Sequence, residues 1–308
     1  MANDGKRRWI GGGVVTAAHE VGGGGRGASA ANGLAVIVGS GMGAVVDRLE
    51  ERLGQRLSFR DRVRFEDIDG VGACTVAGHD GTVLVADIGD PASRNQWRLV
   101  LVRGRRHVYE GGRFGMLGLM RRLAQWGVGE VVAVSAAGSV RETLHPGQLV
   151  VIQEIMDMQN RERLQPHLRR ARRSGRSERP PLRLRPRLSA RLTRDVEAAA
   201  GRAAVSLARG TLACAAGPAY ETPAEIRALQ AMGVDVVSMS AAPEVELAAE
   251  IGMDVAAVAA ITNPGTGIGR GRPDHGRVLE VAAAMSGSLA DVLAELVDRP
   301  VPGSKKRL

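Results

Sequence analysis

From Leu34 onward, short β-branched runs alternate with amphipathic stretches, and this alternation confines the chain to a sheet whose strands are joined through helices. Strands are expected at Leu34–Val38, Thr82–Asp87, Leu99–Arg103, Val131–Ser135, Leu149–Ile152, Thr211–Ala215, Val234–Ser238 and Val255–Ile261. Helical spacing of apolar residues marks Ala44–Leu53, Phe114–Trp126, Ala224–Met232 and Pro243–Ile251. Gly111 and Gly112 suit a turn before the second of these, and Pro223 and Pro243 suit first-turn positions, where a missing N–H costs nothing. A final helix is expected over Gly276–Val297. The reading is an α/β fold: a single domain with a mixed, largely parallel central sheet flanked by helices. Aromatic residues make up only 3% of the chain, so its core must rest on Val, Leu, Ile, Ala and Met.

Residues 160–195 interrupt the rhythm. They hold thirteen arginines against Glu162, Glu178 and Asp195, a net +10 that leaves the rest of a +9 chain at −1. With Pro166, Pro180, Pro181 and Pro186 they read as a long inserted loop, partly disordered. The basicity therefore belongs to one segment and not to the fold. Arginine tracts bind polyanions by counterion release, but no aromatic residue lies between Trp126 and Tyr220 to stack on a base, so nucleic acid is not an expected partner. Residues 1–33 read as a flexible Gly-rich arm, 34–300 as the domain and 301–308 as a basic tail. Cys74 and Cys214 sit in apolar runs and read as buried free thiols. No run approaches the roughly 18–20 apolar residues of a membrane span. The Lys6-Arg7-Arg8-Trp9-Ile10 start lacks the apolar core of a signal peptide, so a cytoplasmic protein is expected.

Four small-residue turns carry the first chemical signal. Gly39-Ser40-Gly41 follows a strand and opens a helix, an arrangement that lets backbone N–H groups approach an anion, with the Ser40 hydroxyl as a further donor. It lacks the Gly-Lys-Ser/Thr of a nucleotide-phosphate loop and the spacing of a dinucleotide fingerprint, so alone it more readily describes a tight structural turn. Gly104-Arg105-Arg106-His107 follows another strand, where Arg105 could clamp a phosphate through two N–H groups and His107 could donate beside it. Taken in isolation this is also what a solvated basic turn looks like. Gly78-His79-Asp80-Gly81 and Ser135-Ala136-Ala137-Gly138-Ser139 complete the set, and strand ends are where an α/β sheet places a ligand.

The most specific stretch is Ala216-Gly217-Pro218-Ala219-Tyr220-Glu221-Thr222-Pro223-Ala224-Glu225, followed by Gly233-Val234-Asp235-Val236-Val237-Ser238-Met239-Ser240, Pro243-Glu244-Val245 and Ile261-Thr262-Asn263. In order, together with the Gly-Ser-Gly, Gly-His-Asp-Gly and Arg-Arg-His-Val-Tyr-Glu-Gly segments, these pieces resemble the purine nucleoside phosphorylases, in particular the trimeric type that prefers 6-oxopurines. The likeness runs from about Leu34 to Val297 and fails mainly across 160–195. It implies that Ser40, His79, Arg105, His107, Ala136 (through its N–H) and Ser240 surround phosphate, and that Tyr109, Met239 and His275 surround the ribose, His275 facing the 5′-hydroxyl. It places Ala137, Gly138, Tyr220, Glu221 and Asn263 around the purine. His107, Glu221 and Asn263 carry the chemistry in this reading. It implies phosphorolysis of inosine, guanosine and their deoxy forms, a homotrimer, and no metal or organic cofactor, inorganic phosphate being a co-substrate.

Each residue also has an ordinary structural explanation. Glu221 before Thr-Pro suits a helix start, His275 suits the first turn of the last helix, Met239 suits a core, and Tyr109 and Tyr220 suit a sheet edge. Gly138-Ser139-Val140-Arg141-Glu142 is similar to the methylthioadenosine phosphorylases, but that branch has Asp where Asn263 stands, so the Glu221/Asn263 pair favours 6-oxopurines. Three departures from the family pattern stand out. Ser135 replaces an asparagine, Pro264-Gly265-Thr266-Gly267 stiffens the loop after Asn263, and the phenylalanine that a neighbouring subunit lays over the ribose has no counterpart in the arginine-rich region. The last of these leaves a non-catalytic purine- or phosphate-binding relative as an alternative.

Overall fold

The computed structural model describes residues 33–89, 97–159, 188–268 and 274–299, all within one compact unit. The proposed arm up to residue 32, the greater part of the arginine-rich insert (160–187) and the tail from residue 301 lie outside the described residues.

Nine strands are present among the described residues: β1 (Gly33–Val38), β2 (Leu57–Arg64), β3 (Thr82–Ile88), β4 (Trp97–Arg103), β5 (Val128–Ser139), β6 (Leu149–Asp157), β7 (Leu207–Cys214), β8 (Val236–Ser238) and β9 (Asp254–Pro264). The helices are α1 (Ala44–Leu53), α2 (Gly112–Gln125), α3 (Ala190–Arg202), α4 (Pro223–Ala231), α5 (Ala242–Ile251), α6 (His275–Ala284) and α7 (Ser286–Val297). The sheet runs β2-β3-β4-β1-β5-β8-β7-β6-β9, and β9 pairs back onto β5. The second half of the sheet is therefore closed into a small barrel of β5, β8, β7, β6 and β9. The pairings β1–β4, β1–β5, β5–β9, β6–β7 and β7–β8 are parallel, whereas β2–β3, β3–β4, β5–β8 and β6–β9 are antiparallel.

Period-2 alternation along a strand sends neighbouring side chains to opposite faces. In β1, Leu34, Val36 and Val38 join a core with α1, α3 and α7, while Ala35 and Ile37 join one with α2 and α5. A smaller cluster packs α4 residues Ile226 and Leu229 against Ala213, Val234 and Val237. β1 is buried along its whole length, as a central strand covered on both faces must be. The outermost strand, β2, instead carries Arg60, Asp61, Arg62 and Arg64, charges that discourage pairing at a sheet edge.

The expected α/β architecture is present, with four differences. β2 was not expected, because its charged edge positions obscure the strand pattern. Residues 135–139 do not form a turn but complete β5. Part of the expected arginine-rich loop is helical: Ser189 accepts from the Leu192 amide at 3.3 Å and α3 follows, burying Leu192, Val196, Ala199 and Ala200. Arg191 belongs to an internal ion network with Glu130, Asp195 and Asp254. Finally, the expected last helix is broken at Met285 into α6 and α7, where the Ser286 hydroxyl donates to the Ala282 carbonyl, a back-bond that bends helices. Neither thiol forms a disulfide among the described residues, but only Cys214 is buried, where it donates to the Ser240 carbonyl; Cys74 is half-buried.

Candidate active site

The carboxyl ends of the parallel strands β1, β4, β5 and β9 open into one cleft of about 310 Å³. Because β3 is antiparallel to β4, with Thr82 opposite Arg103, the Gly78–Gly81 turn entering β3 arrives at the same end of the sheet. Every residue singled out from the sequence lines this cleft: Ser40, His79, Arg105, His107, Tyr109, Ala136, Ala137, Gly138, Tyr220, Glu221, Met239, Ser240, Asn263 and His275.

Arg105 forms the floor and is 1% exposed. Its Nη1 donates to the Ser240 hydroxyl at 2.5 Å, its Nη2 donates to the carbonyls of Val134 and Ile37, and its Nε lies 3.1 Å from Glu244 Oε1. The Nε contact is a close ion pair without hydrogen-bond alignment. With both Nη2 hydrogens committed, a single Nη1 hydrogen remains for the cleft. The two-pronged clamp expected from the sequence is therefore not available in this arrangement. Arg106, its neighbour, points away and donates to the carbonyls of Val71 and Glu110.

The rings of His79, His107 and Tyr109 stack in series, with centroids 5.1 and 4.8 Å apart and planes within 13°. Nδ1 of His79 lies 2.9 Å from the Arg105 carbonyl, which can only accept, so the proton sits on Nδ1 and Nε2 accepts from the Ser40 hydroxyl at 3.0 Å. Burial, reinforced by the charge of Arg105, lowers the His79 pKa to about 3, so the ring is neutral. Burial also lowers the pKa of His107, against the opposing pull of Glu110. Glu110 accepts four hydrogen bonds: from the Thr75 amide and hydroxyl on Oε1, and from the His107 amide and Nδ1 on Oε2. Burial would raise its pKa, but these donors outweigh burial and hold it at about 2. Neutral His107 thus carries its proton on Nδ1 and turns Nε2 outward.

At the other end, Asn263 Nδ2 donates to the Pro264 carbonyl at 2.9 Å while Oδ1 accepts from the Thr262 hydroxyl at 2.9 Å. Since the Pro264 carbonyl has no proton to give, the amide orientation is determined, and the second Nδ2 hydrogen is a donor in the cleft. The proline that departs from the family pattern thereby has a local role. A Cβ on Gly138 would stand 3.2 Å from Asn263 Nδ2, which explains the need for glycine at the position facing the amide. Burial raises the pKa of Glu221. Gly217, at φ +66°, lies between the Met239 sulfur and the Tyr109 ring, which a Cβ there would meet at 2.6 and 3.0 Å. Tyr220 and Tyr109 stay partly exposed at the mouth, and His275 Nε2 lies 3.3 Å from the Ala77 carbonyl.

The sequence reading missed the residues that hold these groups. Glu110 and Glu244 are among them, as is Ser238, whose hydroxyl donates to the Ala136 carbonyl at 2.8 Å. Gln159 is another: its amide donates to the carbonyls of Ala215 and Met239, tying β6 to the Met239 segment. A glutamate three residues after His107 was the only signal for Glu110; nothing local marks the other three.

Residues 95–298 match the family model described as the phosphorylase superfamily. Purine nucleoside phosphorylase 1 of Geobacillus stearothermophilus is 32% identical over 251 residues, covering 80% of this chain and 84% of that protein. This chain belongs to the purine nucleoside phosphorylase family. Within the family, the 6-oxopurine nucleoside phosphorylase of Pyrococcus furiosus is 32% identical over 178 residues, covering 56% of this chain and 65% of its own length. The purine nucleoside phosphorylase of Schistosoma mansoni solved with inosine shares the fold, with a TM-score of 0.67, 22% identity, and coverage of 88% of this chain and 92% of that one. As a member of the purine nucleoside phosphorylase family, the chain departs from the pattern at Ser135, whose buried hydroxyl has no hydrogen-bond partner among the described residues. Tyr109, Met239 and His275, which the family resemblance would set around a ribose, all line the cleft.

Proposed function

We propose that this protein catalyses the phosphorolysis of 6-oxopurine nucleosides, inosine and guanosine and their deoxy forms, to free base and (deoxy)ribose 1-phosphate. A phosphate oxygen attacks C1′ as the C1′–N9 bond breaks, so positive charge grows on the sugar and the bond's electrons pass to the purine. The observation that carries this reading is the pairing, in one cleft, of a carboxylate with an amide of determined orientation. Ionised Glu221 accepts from N1–H of a 6-oxopurine, whereas a 6-aminopurine presents a lone pair there. Asn263 Nδ2 donates to N7 as charge accumulates on the leaving base, a preorganised stabilisation that needs no reorientation during the reaction. The remaining Arg105 N–H, Ser240 and the Ala136 N–H hold phosphate, with Ser40 and His79 beside it, and the unprotonated Nε2 of His107 accepts from the hydroxyl of monohydrogen phosphate. Tyr109, Met239 and His275 hold the ribose, and Ala137, Gly138 and Tyr220 flank the base.

The enzyme acts as a cytoplasmic homotrimer in this proposal, by analogy with its family. Among the described residues no helix is long and apolar enough to cross a membrane. The decisive measurement is hypoxanthine release from inosine with and without inorganic phosphate. Release should require phosphate, and Asn263→Ala should lower kcat by about 10²–10³-fold, the usual cost of one transition-state donor. Full activity without phosphate, or in Asn263→Ala and Glu221→Ala alike, refutes the assignment.

A further inference from the structure

Glu244 opens the first turn of α5 and is 1% exposed, and its carboxylate lies 3.1 Å from Arg105 Nε. A carboxylate at a helix start is favoured by the helix dipole, and a guanidinium this deeply buried needs a counter-charge. The approach is held by an uncommon backbone: Ala241, between Ser240 and the helix, has φ +81°, a conformation that non-glycine residues rarely adopt. That turn lets Ser240 meet Nη1 while Glu244, from the same short segment, meets Nε. Arg105 is thus neutralised before any substrate arrives. His79 beside it is a neutral ring, and Glu110 stands behind His107, so the described groups give the phosphate end of the cleft no unpaired cation.

We propose that Glu244 is a positioning residue and resident counter-ion that sets phosphate affinity: it aims Arg105 and at the same time competes electrostatically with the incoming anion. The inference rests on the reading of this cleft as a phosphate site. Its consequence is a weakened but selective phosphate end, in which binding depends on the combined hydroxyl and N–H donors and not on bare charge.

The test is titration of the full-length chain with inorganic phosphate by calorimetry, with melting temperature and the KM for phosphate measured alongside. Glu244→Gln keeps the shape and removes the charge. It should lower the melting temperature without phosphate yet tighten phosphate binding by on the order of tenfold, because a dianion then meets an uncompensated guanidinium. A purely structural glutamate would lower stability and leave the phosphate Kd unchanged or weaker, and that result in a folded variant overturns the proposal. Should Glu244→Gln fail to fold, Glu244→Asp withdraws the charge by one methylene. It should show a smaller tightening, and weaker binding than wild type overturns the inference. Phosphate binding by wild type without tightening in the variants sinks the role of Glu244 alone. No phosphate binding by wild type sinks the phosphorylase reading with it.

Discussion

Replacing Glu110 by glutamine tests whether the orientation of His107 is built in or incidental. The carboxylate accepts from Thr75 on one oxygen and from His107 on the other. A glutamine has one accepting oxygen. Its best placement turns that oxygen to His107 and its NH₂ to the Thr75 hydroxyl, leaving the Thr75 amide unpaired and both His107 contacts uncharged. Charge-assisted bonds exceed neutral ones by about 1 kcal/mol each, so the change should cost about 2–3 kcal/mol. For a domain of this size that is a fall in Tm of about 3–6 °C. The pH dependence supplies an internal check. A carboxyl held at about 2, below its ordinary value, gives its full stabilisation above about pH 4.5 and loses it as pH falls through 2. The Tm gap between wild type and Glu110→Gln should therefore stay constant from pH 8 to about 5 and narrow in stronger acid. With the charge gone, His107 also loses the partner that props up its proton affinity, and kcat/KM should fall by about 10–100-fold. Thermal melts across pH, paired with phosphate-dependent hypoxanthine release, make both measurements. A gap that is absent, or that widens in acid, refutes the reasoning.

Gly138→Ala places a Cβ 3.2 Å from Asn263 Nδ2; it should lower kcat/KM for inosine about tenfold or more, by steady-state kinetics, with little change in Tm. Glu221 has its pKa raised by burial, and only its ionised form accepts N1–H, so activity should decline on an acidic limb lying above the ordinary carboxylate range. That limb should vanish from the pH–rate profile of Glu221→Gln.

Much of this molecule is legible in its sequence. The cleft residues were readable because they sit in Gly-rich segments at strand ends, where sequence and chemistry coincide over a few residues. What stayed hidden depends on distant partners. Closure of β9 onto β5 joins segments more than a hundred residues apart and leaves no local trace. Glu244 reads as an ordinary helix-start carboxylate until Arg105 is seen against it. The helix from Ala190 was concealed differently: Ser189, Leu192, Val196 and Ala199 carry a cap and helical spacing, but the surrounding arginines made the region look like solvated loop. Conversely, the Arg105 motif was legible in kind and misleading in detail, because only the structure shows four of its five N–H groups turned toward protein groups.

The closed half of the sheet bears on how the cleft can behave. Gly138 and Asn263 are register partners on adjoining strands of a hoop, and Ser238 lies two strands from Asn263 around the same hoop. A hoop has no free rim along which one strand can slide past another. The Gly138–Asn263 side of the proposed base site should therefore be stiff and size-intolerant. In the proposed site Tyr109 and His275, assigned to the sugar, stand outside the hoop, so substitutions on the pentose should be forgiven more readily than changes to the ring beside N7.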